Sequence, residues 1–186
     1  VGTPVASPDG RRLVVSVVDP AYDPKEQASD LWLITTDGSL PPKRLTYTKG
    51  PESGVTFSPD GSRIAFVTKR EGDTEEQVYL LDLQQGGEAE RLSDAPLGAR
   101  NPRFSPDGTR VAYVADVWPG ATDVADNRGL AKVRSERKGN VRVYEGFPVR
   151  SWDHWLDERQ PHLWVQAAHA GAEPRDLLAR TALVAR

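Results

Sequence analysis

Large apolar residues fall on every second position at three places along the chain. They are Leu13, Val15 and Val17; then Ile64 and Phe66; then Val111 and Tyr113. A period of two places one face of a strand against a core and leaves the other to polar neighbours. Each run follows the same short polar stretch. "FSPDG" stands at Phe57–Gly61 and at Phe104–Gly108, and "ASPDG" at Ala6–Gly10. Pro presets φ for the second position of a type I turn, Asp suits the third and bonds nearby backbone, and Gly supplies the positive φ that closes it. The stretch therefore predicts a tight reversal between two antiparallel strands. On this reading Asp9, Gly10, Asp60, Gly61, Asp107 and Gly108 are turn residues. A calcium loop needs several oxygens at alternating spacing, and each of these turns offers one carboxylate.

The copies are evenly placed. Ser7 to Ser58 is 51 positions, and Ser58 to Ser105 is 47. Each is followed by a second signature: "DLWLITTDGSLPPKRLT" (Asp30–Thr46), "QVYLLDLQQGGEAERLS" (Gln77–Ser93) and "HLWVQAAHAGAEPRDLL" (His162–Leu178). Each holds an apolar strand with one aromatic (Trp32, Tyr79, Trp164), a turn containing Gly, and a short strand with Arg-Leu or Asp-Leu. One unit is thus about four short antiparallel strands, and four-stranded units at a period near fifty mark the blade of a β-propeller. The expected fold class is all-β: a partial β-propeller of three to four blades, each a four-stranded antiparallel sheet with an SPDG repeat. The blades are expected at residues 1–50, 51–99 and 100–180 of one domain, 1–186. The third is interrupted at 116–140 by "DVWPGATDVADNRGLAKVRSER" and its flank, which lacks period-2 alternation and predicts a long excursion with a short helical turn. Alternation resumes over Val141–Trp155, and Arg180–Arg186 reads as the opening strand of a further unit.

Composition narrows the partners. A net charge of −3 gives no general attraction to nucleic acid or to anionic membrane, and neither is expected as a partner. No apolar run approaches the ~20 residues of a membrane-spanning helix. There is no cysteine, so disulfides and thiolate metal sites are out of reach. The chain opens on Val1 and contains no Met, as expected of an excised segment of a longer product.

"SPDG" with an alternating strand, then "LW" or "VY", then "RLT" or "RLS", resembles the propeller repeats of the prolyl oligopeptidase family of serine peptidases. It also resembles TolB-like propellers. The stretch "GNVRVYEGFPVRSWDHWLDERQPHLWV" (Gly139–Val165) is similar to the propeller of bacterial dipeptidyl-aminopeptidase and acylaminoacyl-peptidase relatives. The resemblance implies that the segment is joined in its parent chain to an α/β-hydrolase domain, and that it restricts access of short peptides to that domain. The hydrolase nucleophile sits on a G-x-S-x-G elbow. No such motif occurs here, so the catalytic residues are expected to be none and the segment inactive by itself. The alternative is a TolB-like scaffold for protein–protein interaction.

Several residues have chemistry to spare. In "SWDHWLDERQ" (Ser151–Gln160) an extended chain sets Trp152 and His154 on one face and Asp153 and Trp155 on the other. Trp beside acids suits a pocket for a peptide amine, through charge pairing and aromatic contact. Trp packed between sheets beside a solvated, ion-paired turn is the commoner arrangement. Arg150 suits a substrate carbonyl or an ion pair with Asp153. The dipeptidyl branch of the family holds the substrate amino terminus with propeller glutamates, which points to Glu145, although no second acid stands beside it. His154 and His162 share a face of an extended chain but lie about 26 Å apart at strand rise, so no metal or other cofactor is expected. Finally, stacked sheets need about four blades to close, and fewer leave apolar faces open. Either the remaining blades lie outside this segment, or copies associate and complete each other; the isolated segment is expected to self-associate through its terminal blades.

Overall fold

A computed structural model describes residues 1–18, 28–136, 150–151, 154–155, 158–181 and 183, with backbone pairing alone at 150, 151, 154 and 155. The chain runs through Val5–Ala6 (β1), Arg12–Val18 (β2), Ser29–Thr35 (β3) and Lys43–Arg44 (β4), which pair in that order as one antiparallel sheet. Glu52–Phe57 (β5), Arg63–Thr68 (β6), Gln77–Asp82 (β7) and Glu90–Arg91 (β8) repeat the pattern as a second sheet. Ala99–Phe104 (β9) and Arg110–Val117 (β10) begin a third. The chain then leaves through a helix, Val124–Ser135 (α1), and a small ladder in which Arg150–Ser151 (β11) pairs with His154–Trp155 (β12). Gln160–Ala167 (β13) and Arg175–Asp176 (β14) return to complete the third sheet in the order β9-β10-β13-β14.

Register explains the recurring aromatic. Val15 lies opposite Trp32, Phe66 opposite Tyr79, and Tyr113 opposite Trp164. In each sheet the aromatic of the third strand thus shares a face with the middle apolar residue of the second strand, the kind of cross-strand pair that stabilises sheets. The Phe66 and Tyr79 ring centroids are 6.2 Å apart.

Packing forms two cores. Val14, Leu31 and Leu33 of the first sheet meet Ile64, Phe66, Tyr79 and Leu81 of the second. On its other face the second sheet presents Ala65, Val67, Val78 and Leu80 to Val111, Tyr113, Ala115 and Trp164 of the third. Strand β6 therefore has no solvated face, and all of Ile64 to Thr68 is buried. The opening strands β5 and β9 carry the same irregularity. Pairing slips between Ser53 and Thr56, and again opposite Ala112 and Val114. Gly54 (φ 63°) and Asn101 (φ 55°) take the left-handed conformation there, which Gly adopts freely and Asn better than most residues.

The excursion is more ordered than a short helical turn. Helix α1 has 12 residues, capped by Asp123, whose carboxylate accepts from Asp126 N at 2.8 Å. Its buried anchor is polar. Asn127 Oδ1 accepts from Trp118 N at 2.9 Å, and its Nδ2 donates to Asp116 O at 3.0 Å, so the helix start is tied to the end of β10. The sequence conceals this helix because few apolar residues mark a face and Gly129 interrupts it.

Candidate functional site

The three SPDG turns have one geometry. Ser7, Ser58 and Ser105 Oγ each donate to the Asp two residues on (Asp9, Asp60, Asp107) at 2.6 Å. The same oxygens accept from Arg12, Arg63 and Arg110 N at 3.0, 2.9 and 3.0 Å. Each Asp also accepts a backbone N–H, from Arg11, Ser62 and Thr109. The amide nitrogens of Gly10, Gly61 and Gly108 donate back to the Ser carbonyls, with φ near 70°. These donors favour the charged carboxylate. The Ser58 hydroxyl first and the Ser62 amide second hold Asp60 down at about 2, and the Ser105 hydroxyl and Thr109 amide hold Asp107 at about 2. Asp9 is lowered in the same way, led by the Ser7 hydroxyl.

Each turn is also an inter-sheet joint. The Arg12 guanidinium donates from Nη2 to Gly61 O in the second sheet at 2.9 Å. Arg63, its counterpart one unit on, donates to Gly108 O at 3.0 Å and to Ala168 O at 2.8 Å in the third sheet, and lies over the Phe104 ring at 5.7 Å. A β-carbon on Gly61 would come 3.1 Å from Arg12 Nη2 and 3.6 Å from Pro8 Cδ. On Gly108 it would come 3.3 Å from Pro59 Cδ. Glycine is required there both by its φ and by the approach of the preceding turn.

The Arg-Leu-Thr and Arg-Leu-Ser signatures cap the third strands. Thr46 Oγ1 accepts from Leu31 N at 2.8 Å, and Ser93 Oγ from Val78 N at 2.8 Å. Leu45, Leu92 and Leu177 N donate to Leu31, Val78 and Leu163 O, which fixes the equivalence of the three units. By that equivalence Arg44 paired with Asp30 in the first sheet corresponds to Asp176 paired with His162 in the third. The acid moves from the third strand to the fourth, and His162 Nδ1 lies 2.6 Å from the Asp176 carboxylate. Buried Glu52 joins the first cap. Its Oε2 accepts from Leu31 N at 3.1 Å and from the Thr46 hydroxyl, and its Oε1 has no hydrogen-bond partner among the described residues. Burial pushes its carboxyl above the ordinary range, and the neighbouring Asp30 carboxylate adds to that.

Beside the edge strands β4 and β8 lies a groove of about 1060 Å³. Tyr47, Lys49, Lys69, Arg70, Glu71 and Glu88 contribute to its walls. Arg44 stacks over Tyr47 at 4.4 Å and Arg70 over Tyr79 at 4.8 Å. Mixed charge and the exposed Tyr47 ring suit a polypeptide segment better than an apolar ligand. Sequence reading missed this groove because its walls come from loops far apart in the chain.

Of the residues singled out for a peptide pocket, Arg150 and Trp155 stand opposite each other in the β11–β12 ladder. The Ser151–Gln160 stretch is thus not one extended strand. Glu145, Trp152 and Asp153 lie outside the described residues. His162 is spent on Asp176 inside the third sheet, and no group of three His, Asp or Glu among the described residues is placed to hold a metal ion.

Three four-stranded antiparallel sheets, stacked face on face and joined by equivalent turns, define a β-propeller portion. Residues 1–144 match the family described as PD40, TolB beta propeller domain, and the chain belongs to that family. It is 33% identical over 104 residues to the uncharacterized peptidase YuxL of Bacillus subtilis, covering 55% of this chain and 15% of that protein. It is 29% identical over 161 residues to dipeptidyl-peptidase 5 of Porphyromonas endodontalis, covering 86% of this chain and 21% of that one. The chain therefore spans about a fifth or less of the length of these relatives. Acylaminoacyl peptidase of Pyrococcus horikoshii shares the fold, with a TM-score of 0.61 and 14% identity over 94% of this chain and 24% of that structure.

Proposed function

We propose that this propeller segment gates a serine exopeptidase: it admits short or extended peptides to an α/β-hydrolase domain and turns folded proteins away. The observation that carries this reading is the alignment of 86% of the chain with a dipeptidyl-peptidase. Peptidase relatives several times longer leave room for a catalytic domain that these residues do not encode, in keeping with the missing G-x-S-x-G elbow. The segment works by exclusion and contributes no reacting group. The groove beside Tyr47, Lys69 and Arg70 offers mixed charge and an exposed aromatic to a peptide. Glu145, Arg150, Trp152, Asp153 and Trp155 remain its candidate contacts to a peptide amine or carbonyl.

The coding sequence beyond Arg186 is the first check. A hydrolase segment with G-x-S-x-G is expected, and the intact protein should hydrolyse dipeptidyl or acyl-aminoacyl chromogenic substrates while leaving folded proteins uncut. A stop codon soon after Arg186 overturns the reading in favour of a protein-binding scaffold, the second reading, which the TolB family match supports.

A further inference from the structure

Arg70 is a cation held firmly in place and poorly served by its neighbours. It lies in the connection between β6 and β7, which a buried acid fixes. The Asp73 carboxylate accepts from Arg70 N at 3.0 Å and from the Tyr79 hydroxyl at 2.7 Å, and lies 3.3 Å from Arg91 Nε. Asp73 N donates back to Arg70 O at 3.0 Å, which closes the turn. The Arg70 guanidinium is thereby laid over the Tyr79 ring at 4.8 Å, with its side chain 20% exposed. A guanidinium carries five N–H donors. Here Nε is buried without a hydrogen-bond partner among the described residues, and Nη2 has none among them either. Nη1 reaches Ala89 O at 3.4 Å and Glu88 Oε2 at 3.5 Å, both beyond the usual ~2.7–3.2 Å. Glu88 is 96% exposed, so nothing holds its carboxylate at that contact. Other arginines are better served. Arg12 and Arg63 donate to carbonyls at 2.8–3.0 Å, and Arg128 and Arg134 to carboxylates at 2.6 Å.

The surroundings select the ligand. Arg70 lines the groove beside β4 and β8, which spans the joint between the first and second sheets, so this chain builds both of its walls. Leu45 and Ala89 line it too, packed on the core that holds Leu81. Apolar groups beside the guanidinium lower the local dielectric and strengthen a charge pair made there. Lys49, a further lining residue, has no partner among the described residues. The Tyr47 ring, 76% exposed, offers an apolar surface next to these charges. The Glu88 contact shows which anion the guanidinium accepts: a planar carboxylate on a flexible side chain.

We propose, resting on the reading that peptides are the ligands of this segment, that Arg70 recognises an Asp or Glu side chain of a peptide in this groove, displacing Glu88. The incoming carboxylate takes Nη1 and Nη2 side by side, the two-point pairing that suits guanidinium and carboxylate. Glu88 swings into water, which costs little because its contact is long and exposed. Arg70 loses little freedom on binding, since the Tyr79 ring and the Asp73 turn already hold it. Lys49 adds a second positive charge.

Fluorescence anisotropy on the intact protein tests this with two dye-labelled, C-terminally amidated peptides, Ala-Ala-Glu-Ala-Ala and Ala-Ala-Gln-Ala-Ala, shown by mass spectrometry to stay uncut. The Glu peptide is expected to bind about tenfold more tightly, the worth of one charge-assisted pairing. Equal affinity overturns the proposal. Arg70→Ala should abolish the preference and Arg70→Lys, which keeps charge without the planar fork, should retain part of it. A preference unchanged in Arg70→Ala, in protein shown by circular dichroism melts to be folded, places acid recognition elsewhere and overturns the assignment. Glu88→Gln should tighten binding of the Glu peptide several-fold by removing the competing carboxylate, and weaker binding overturns the competitor role. Binding of the Gln peptide only when its C-terminus is a free carboxylate, with no preference for Glu, would show a site for chain ends and overturn the side-chain assignment. Hydrolysis of neutral chromogenic substrates separates the two readings. Protein that cleaves them but binds both peptides equally keeps the gating reading and loses the Arg70 site. Protein that prefers the Glu peptide but cleaves nothing keeps the site and loses the peptidase.

Discussion

Glu52 is a buried acid whose two oxygens are unequally served. Oε2 takes the Leu31 amide and the Thr46 hydroxyl, while Oε1 has no hydrogen-bond partner among the described residues. Burial leads the upward shift of its carboxyl, with Asp30 adding like-charge repulsion. The sign follows from linkage. A carboxyl raised in the folded state binds its proton more tightly there than in the unfolded chain, so stability falls as pH rises from the ordinary carboxylate range through the raised value. Glu52→Gln keeps the acceptor for Leu31 and Thr46 and removes the desolvated charge. The variant is expected to equal or exceed the parent in urea-unfolding free energy at pH 7, and to lose the parent's decline with pH above the ordinary Glu range. A parent curve flat through that range, or a Gln variant weaker at pH 7, refutes the assignment. The turn carboxylates act oppositely. Asp60 and Asp107, held at about 2, lose their contribution only as pH falls from about 4 towards 2.

Helix α1 depends on one amide side chain. Asn127 is 2% exposed, and it satisfies both Trp118 N and Asp116 O where β10 ends. Asn127→Ala strands these two backbone groups beneath the helix, so a loss of about 2–3 kcal/mol is expected in chemical unfolding. Amide exchange should quicken at Trp118 while Ile64 in β6 is unaffected; equal quickening in β6 would mean that the helix is integral to the cores. This element also marks where sequence reading stops. The SPDG turns were legible because every bond in them spans at most five residues. The aromatic of the third strand was legible as a recurring letter, though its partner across the sheet was not. The helix gave no apolar stripe, since a polar residue anchors it. The arginine joints were hidden because Arg12 and Arg63 reach carbonyls more than forty positions away. Nothing local distinguishes such an Arg from one in water.

At the scale of the molecule the second sheet is shared by two cores, and this sets how damage spreads. Phe66 points into the core with Val14 and Leu31; its neighbour Val67 points into the core with Val111 and Trp164. In a quasi-linear stack each sheet's stability rests on its own strands plus the interfaces it touches. Phe66→Ala removes a ring that is 0% exposed, and a cost of about 3–5 kcal/mol is expected, a large part of the ~5–15 kcal/mol that holds a typical domain. Val67→Ala, a smaller deletion on the opposite face, should cost about 1–3 kcal/mol. Hydrogen exchange separates two models of cooperativity. If the joints unfold one at a time, Phe66→Ala speeds exchange at Val14 and Leu31 more than at Val111 and Trp164, and Val67→Ala reverses the order. If exchange in both variants rises uniformly across all three sheets, the stack is a single cooperative unit. The separable outcome is expected. The two clusters share no residue, and the polar links between the second and third sheets, Arg63 to Gly108 and Ala168 and buried Gln166 Nε2 to Leu92 O at 2.8 Å, do not involve the first sheet, so one interface can loosen while the other holds.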